Sequence, residues 1–300
     1  MTFNRRTFLK RSAVTTTGLA AVVGSTGTAA ASDVPLISTR DHFDDDGNLK
    51  SGYGTFEYDT SGDVPGVDTG CVGDLTVFIH GWDKKSSESD AEQAAHDKIS
   101  HARDELTAAG YDGTVVGYTW DNDVGGGVDY GWGEAQNAAQ GNGPKLAQFA
   151  VDLKYNCPSA NVRFVSHSLG AQVLLSSLRS LNGSWFTDNG YEVLTTHLLG
   201  AAQDNEAPTQ EWPDTYNAIS NVVTGAFNYY SEADDVLQWV YNTIEFDQAL
   251  GETGAEDGNT PAPNYTDFDG TGQVGDNHSG YLTNLSDEIV YHQNHLGSYV

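Results

Sequence analysis

The hydrophobic residues of this chain form short runs that alternate with longer amphipathic stretches. β-Branched and aromatic runs of strand length predict buried strands, and apolar residues at helical spacing predict helices between them. The predicted strands cover 75–79, 114–120, a run ending at Val165, 193–199 and 226–231. The predicted helices cover 89–109, 134–155, a stretch that begins at Ala171 and one that extends to about Leu250. This alternation predicts an α/β fold with a mostly parallel central sheet and helices on both faces.

Other stretches have weaker patterns. Residues 54–59 alternate in polarity and fit an edge strand, whereas 212–222 fit either irregular structure or a helix. Residues 251–275 are polar and rich in glycine, which predicts a long surface loop. A helical pattern follows near the carboxyl terminus and contains His292 and His295.

The most informative stretch, residues 162–181, reads VRFVSHSLGAQVLLSSLRSL. It predicts a buried strand, a tight turn and a helix, with Ser168 at the apex of the turn. A serine placed there exposes its hydroxyl group at the carboxyl edge of a parallel sheet, beside backbone N–H groups at a helix N-terminus. The motif resembles the G-x-S-x-G nucleophile elbow of α/β hydrolases, and H-S-L-G is a form often seen in lipases and esterases. Ser166 replaces the first glycine of that motif, which is a mild departure because serine is also small.

The resemblance spans roughly residues 72–290 and implies an α/β-hydrolase fold with a catalytic triad in the order serine, acid, histidine. Ser168 is then the nucleophile. The histidine is assigned to His278, in the run DNHSGY after the last long loop. His292 and His295 lie in a helical pattern and fit surface or packing roles.

Three aspartates compete for the place of the triad acid. Asp234 follows a predicted strand in the run SEADDVL, which resembles the acid turn of this family, and is the first choice. Asp235 takes the role if the turn is shifted by one residue. Asp204 follows the preceding strand and resembles the acid position of some lipases. The sequence leaves these alternatives open.

The resemblance also implies an oxyanion hole built from two backbone N–H groups. One belongs to Leu169, directly after the nucleophile, and the other to Trp82, after the pair His80-Gly81 that follows a buried strand. Several aromatic residues either form the wall of an apolar acyl pocket or simply fill the core. They are Trp82, Trp120, Tyr130, Trp132 and Trp185.

The first 31 residues look like a twin-arginine export signal. They contain Arg5-Arg6, an apolar stretch from Ala13 to Val23, and the small-residue cleavage pattern Ala29-Ala30-Ala31. The apolar stretch is too short for a membrane anchor. We therefore predict a signal peptide over 1–31, a single domain over 32–300, contact with the export machinery and a secreted product without a stable membrane anchor.

The chain is strongly acidic, with 42 acidic and 14 basic residues and a formal net charge of −28. The predicted signal peptide holds four of the basic residues and no acid, so the remainder carries −32. Such a surface repels nucleic acid, which excludes a nucleic-acid partner. The acidic residues are scattered through nearly every loop, which favours adaptation to concentrated salt and is similar to exported haloarchaeal hydrolases.

Cysteine usage adds one expectation about stability. Cys71 and Cys157 each precede a predicted core strand, so they could form a disulfide in an oxidising exterior. The sequence contains no C-x-x-C pair, no dense cluster of histidine and cysteine, and no glycine-rich phosphate loop. We therefore expect neither a metal nor a cofactor.

These features together predict an exported serine hydrolase that cleaves small-molecule or lipid carboxylic esters through an acyl-enzyme. The same fold and triad also serve amidases, peptidases and polyester depolymerases, so fold-level analogy does not separate these activities. A non-catalytic exported cell-surface protein on the same scaffold is a further alternative. It predicts that Ser168 and His278 are dispensable.

Overall fold

The computed structural model describes residues 34–85, 87–126 and 131–296. The predicted signal peptide at 1–31 and the aromatic residue Tyr130 lie outside the described residues. Within the described ranges, none of the helices has both the length and the apolar composition that a membrane span requires.

The described strands form one eight-stranded sheet in the spatial order β2-β1-β4-β3-β5-β6-β7-β8. They are β1 (Leu36–Ser38), β2 (Asp59–Ser61), β3 (Asp74–Ile79), β4 (Thr114–Thr119), β5 (Asn161–His167), β6 (Val193–Leu199), β7 (Val223–Tyr230) and β8 (Tyr265–Asp269). Neighbouring strands are parallel except for β1 and β2. The carboxyl ends of β3, β5, β6 and β7 are therefore in register at one edge of the sheet.

Helices follow most of the strands. They are α1 (Glu88–Ala108), α2 (Trp132–Asn156), α3 (Gly170–Leu181), α4 (Trp185–Asp188), α5 (Pro213–Val222), α6 (Asn242–Glu245), α7 (Leu250–Thr253), α8 (Thr271–Val274) and α9 (Tyr281–Asn294). A π-helical segment, Leu237–Tyr241, precedes α6.

Two hydrophobic cores cover the two faces of the sheet. Val77 and Phe78 are adjacent in β3, so their side chains point to opposite faces, and they belong to different cores. The core around Val77 includes residues of α2, α3 and α5, whereas the core around Phe78 includes residues of α1 and α9. The prediction of an α/β fold with a mostly parallel sheet and helices on both faces is confirmed.

Some predicted elements differ from the structure. The prediction of a long loop over 251–275 is wrong, because this stretch contains most of α7 and all of β8 and α8. β8 lies at the edge of the sheet and alternates buried or half-buried with exposed residues, so it has no continuous hydrophobic run. The helix predicted to extend to Leu250 is broken into the π-helical segment, α6 and α7. β1 was not predicted, because a strand of three residues is too short to show a pattern of apolar and polar positions.

Cys71 and Cys157 are joined by a disulfide across a sequence separation of 86 residues. It ties the segment before β3 to the end of α2. Replacing both cysteines with serine should lower the free energy of unfolding by about 2–5 kcal/mol, because the unfolded chain regains the freedom of a long loop. Chemical denaturation of the oxidised protein and the double variant measures this. Reductant should destabilise the oxidised protein but not the double variant. Equal denaturation midpoints for the two proteins would contradict the prediction.

Candidate active site

Ser168 lies in the sharp turn between β5 and α3. Its φ is 56°, in the left-handed region that residues other than glycine rarely adopt, and its side chain is almost buried. Its backbone N–H donates to the carbonyl of Leu199 at the end of β6, 3.0 Å away. The neighbouring strand thus fixes this strained backbone, which is typical of a nucleophile elbow.

Two glycines allow the chain to pass close to this turn. A Cβ atom on Gly81 would lie 2.6 Å from Cβ of Ser168 and 2.8 Å from the carbonyl oxygen of His167. A Cβ atom on Gly170 would lie 2.6 Å from the carbonyl oxygen of Ile79. The segment after β3 therefore packs directly on the serine turn only because both positions lack a side chain.

Replacement of Gly81 by alanine tests this close approach. The added methyl group should push the 80–82 segment away from Ser168 and lower kcat/KM by about 10²–10³-fold, the loss typical of removing one oxyanion donor. Gly73→Ala is the matched control, because a Cβ atom there has no atom within 4 Å. Equal activity of the two variants, measured on a chromogenic ester, would contradict the predicted role of this segment.

The half-buried His278 and the buried Asp234 form a hydrogen-bonded pair. Nδ1 of His278 donates to Oδ2 of Asp234 at 2.8 Å, and the aspartate side chain is fully buried. Nε2, on the other side of the ring, is buried and has no hydrogen-bond partner among the described residues. The imidazole is thus oriented by a carboxylate and has a free nitrogen that can accept a proton.

Asp234 is held in place by the helical turn that follows it. Its Oδ1 accepts the N–H groups of Val236 and Leu237, each at 3.1 Å, which is the hydrogen-bond pattern of an N-cap residue. The next residue, Asp235, already lies within the turn and is exposed. Asp204 accepts a hydrogen bond from the hydroxyl group of Tyr241 instead. Among the three candidate acids, Asp234 is the one hydrogen-bonded to His278.

His167 connects the serine turn to the histidine loop. Its Nε2 donates to the carbonyl oxygen of His278 at 2.7 Å, and the centroids of the two rings lie 4.8 Å apart. Burial, followed by the proximity of His278, lowers the pKa of His167 to about 3, so this imidazole is neutral at physiological pH. Because His167 precedes Ser168 directly, this contact brings the loop of His278 to the nucleophile turn.

The backbone of Trp82 is oriented by its neighbours. The carbonyl oxygen of Gly81 accepts hydrogen bonds from Nδ2 of Asn122 at 2.8 Å and from Nδ1 of His80 at 3.0 Å. The Gly81 carbonyl and the Trp82 N–H belong to the same trans peptide unit and point in opposite directions. By holding the carbonyl, Asn122 therefore sets the direction of the Trp82 N–H. Neither this N–H nor that of Leu169 has a hydrogen-bond partner among the described residues. Both are available to an oxyanion.

The candidate pocket aromatics occupy three different places. Trp132 packs edge to face against Trp82, with ring centroids 5.6 Å apart, and against Tyr241, with ring centroids 6.0 Å apart. These three residues form an aromatic row. Trp120 is completely buried and donates to the carbonyl of His80, so it is a structural residue. Trp185 packs against Tyr155 and Tyr191. Of the predicted set within the described residues, only Trp82 and Trp132 belong to the row.

One acidic cluster has the spacing of a cation site. Carboxylate oxygens of Glu206, Glu211 and Glu256 lie within 4.8 Å of one another. Glu211 is exposed and the other two are half-buried. Oε2 of Glu206 has no hydrogen-bond partner among the described residues, but one such oxygen on a half-buried side chain does not define a ligand site. We assign no metal to it.

Comparisons with known proteins give only a remote likeness. No family model matches the chain, and no curated protein matches it. Among solved structures, an acetyl xylan esterase is 14% identical with a TM-score of 0.39, covering 72% of this chain and 95% of that one. The catalytic core domain of acetyl xylan esterase from Trichoderma reesei is 12% identical with a TM-score of 0.40, covering 75% and 98%.

An α/β serine hydrolase without lid from Xanthomonas campestris is 15% identical with a TM-score of 0.36, covering 75% of this chain and 81% of that one. Similarity at this level carries neither a substrate nor a residue role to this protein. The geometry of the site is therefore the basis on which we infer a function.

Proposed function

We propose that this chain is an exported serine hydrolase that cleaves carboxylic esters. The observation that carries the proposal is the hydrogen bond between the half-buried His278 and the buried Asp234, which leaves Nε2 of the imidazole free, on a loop that His167 ties to the Ser168 turn. A strained serine, an oriented base and two free backbone donors are the groups that acyl transfer requires.

In the proposed reaction, Oγ of Ser168 attacks the ester carbonyl carbon while Nε2 of His278 takes the hydroxyl proton. The N–H groups of Trp82 and Leu169 stabilise the negative oxygen of the tetrahedral intermediate. The imidazolium then protonates the departing alkoxide, and an acyl-enzyme remains. Water, activated by the same imidazole, releases the acid and restores the serine. Asp234 orients His278 and stabilises its charged form.

Export and salt adaptation are part of the proposal. The pattern of residues 1–31 supports twin-arginine export, and the formal net charge of −28 supports function in concentrated salt, where screening reduces the repulsion between carboxylates. The charge also favours neutral substrates over anionic ones.

A substrate panel tests the proposal. Residues 32–300 are purified in molar salt, and hydrolysis of p-nitrophenyl esters of increasing acyl length is compared with that of a matched p-nitroanilide. We expect ester hydrolysis and little anilide hydrolysis. Preference for the anilide would favour an amidase or peptidase. A folded but inactive protein would favour the non-catalytic alternative.

A further inference from the structure

Asp234 receives a fourth hydrogen bond that the triad does not include. The hydroxyl group of Tyr281 lies 3.0 Å from Oδ2 of Asp234, the oxygen that also accepts Nδ1–H of His278. With the two backbone N–H groups on Oδ1, each carboxylate oxygen has two donors. A carboxylate has about four acceptor positions, so this buried anion is fully satisfied.

Tyr281 is built into this position. It is the first residue of α9 and is completely buried. Its ring lies against Gly200 at the end of β6, where a Cβ atom would come within 2.6 Å of the ring. Gly200 also has a φ of 50°, so the backbone at this position favours glycine as well. Space for the tyrosine ring therefore depends on the absence of a side chain at Gly200, directly after β6.

The hydroxyl proton of Tyr281 serves the carboxylate. The carbonyl oxygen of Gly251 is also within reach at 3.2 Å, but a charged acceptor forms the stronger hydrogen bond. Burial, followed by the negative charge of Asp234, raises the pKa of Tyr281, so its phenol stays protonated and remains a donor. Tyr281 and His278 are three residues apart, and their two donors thus hold Oδ2 from one short segment.

We propose that Tyr281 is a positioning residue of the acid–base pair. Its hydroxyl group fixes Oδ2 of Asp234 against His278 and moderates how strongly the carboxylate attracts the imidazole proton. The inference rests on the proposed function. The titratable groups shown in contact with the His278 ring are Asp234 after β7, His167 at the end of β5 and Tyr281 itself. The exposed Asp276 accepts the backbone N–H of His278 through its carbonyl oxygen, and Lys98 of α1 acts on His167 at longer range.

Tyr281→Phe removes only the hydroxyl group. Without it, Oδ2 is less stabilised and holds the imidazolium more strongly, so the acidic limb of kcat/KM against pH should move to higher pH. We expect kcat on the plateau to fall about ten-fold, as for loss of one hydrogen bond to a charged group, with KM nearly unchanged. Unchanged kcat and an unchanged acidic limb would overturn the proposal.

Tyr111→Phe is the matched control. The hydroxyl group of Tyr111 donates to Asp74 at 2.7 Å, so Tyr111 is also a buried tyrosine bound to an aspartate. Asp74, however, lies at the amino end of β3, at the opposite edge of the sheet. Both variants should lose thermal stability. Only Tyr281→Phe should change kcat and the pH profile. Equal pH profiles in the two variants would contradict the proposal and show that Tyr281 contributes to packing alone.

A second readout does not depend on turnover. The Nδ1 proton of His278, bound to a carboxylate, should give a low-field proton resonance that is absent in His278→Ala. This resonance should shift in Tyr281→Phe and stay in place in Tyr111→Phe. If the unmodified protein hydrolyses no ester, the proposed function fails, but the resonance still tests Tyr281. An unshifted resonance would contradict the inference.

Discussion

Replacement of Ser168 by alanine is expected to lower kcat/KM for ester hydrolysis by about 10⁴-fold or more. Without Oγ there is no nucleophile for an acyl-enzyme, although binding and the oxyanion donors remain. Since the alanine side chain fits the same turn, we expect little change in circular dichroism or thermal unfolding. Initial rates on a p-nitrophenyl ester in molar salt measure the effect.

Ser166→Ala is the control for the Ser168 variant. Ser166 lies two residues earlier in β5, is fully buried, and its Oγ has no hydrogen-bond partner among the described residues. We expect this variant to keep nearly all activity. A Ser168 variant that stays folded and as active as the Ser166 variant would contradict the assignment of the nucleophile.

Replacement of Asp234 by asparagine is expected to lower kcat by about 10³–10⁴-fold with little change in KM. The amide has no charge to stabilise the imidazolium, and its NH₂ group would face Nδ1 of His278 and favour the wrong tautomer. The N-cap hydrogen bonds to Val236 and Leu237 can persist through the amide oxygen, so the fold should be retained. Steady-state kinetics with a thermal unfolding curve measure both effects.

The two alternative acids provide the controls for Asp234. Asp235→Asn changes an exposed neighbour, and Asp204→Asn changes the partner of Tyr241. Both variants should stay within about three-fold of the unmodified protein, since neither carboxylate is hydrogen-bonded to His278. A larger loss in either variant than in Asp234→Asn would move the triad acid to that residue.

The central strands could be predicted because they are buried on both faces. Such strands lack charged residues and consist mostly of apolar or β-branched residues, as in 75–79 and 193–199, and the structure confirms both positions to within one residue. The edge strands do not follow this rule. β1 has three residues, and β8 has exposed polar side chains, so the hydrophobic pattern has little signal there.

The site could be predicted as far as local motifs extend. The small residues around Ser168 and the order of the candidate residues come from the sequence, whereas the choice among three aspartates required the fold. Asp234 differs from Asp235 because it caps a helical turn. The contacts of His167 and Tyr281 with the acid–base pair arise from tertiary packing against the ends of β5 and β6. Their only sequence signal is their closeness to Ser168 and His278.

The most direct test of the account is covalent labelling with a fluorophosphonate, followed by mass spectrometry of the digested protein. We expect one adduct per chain on Oγ of Ser168. Labelling should be strongly slowed in His278→Ala and unaffected in His295→Ala, whose ring is exposed. No adduct on the folded protein, or an adduct on another serine that does not depend on His278, would contradict the assignment of Ser168 as an activated nucleophile.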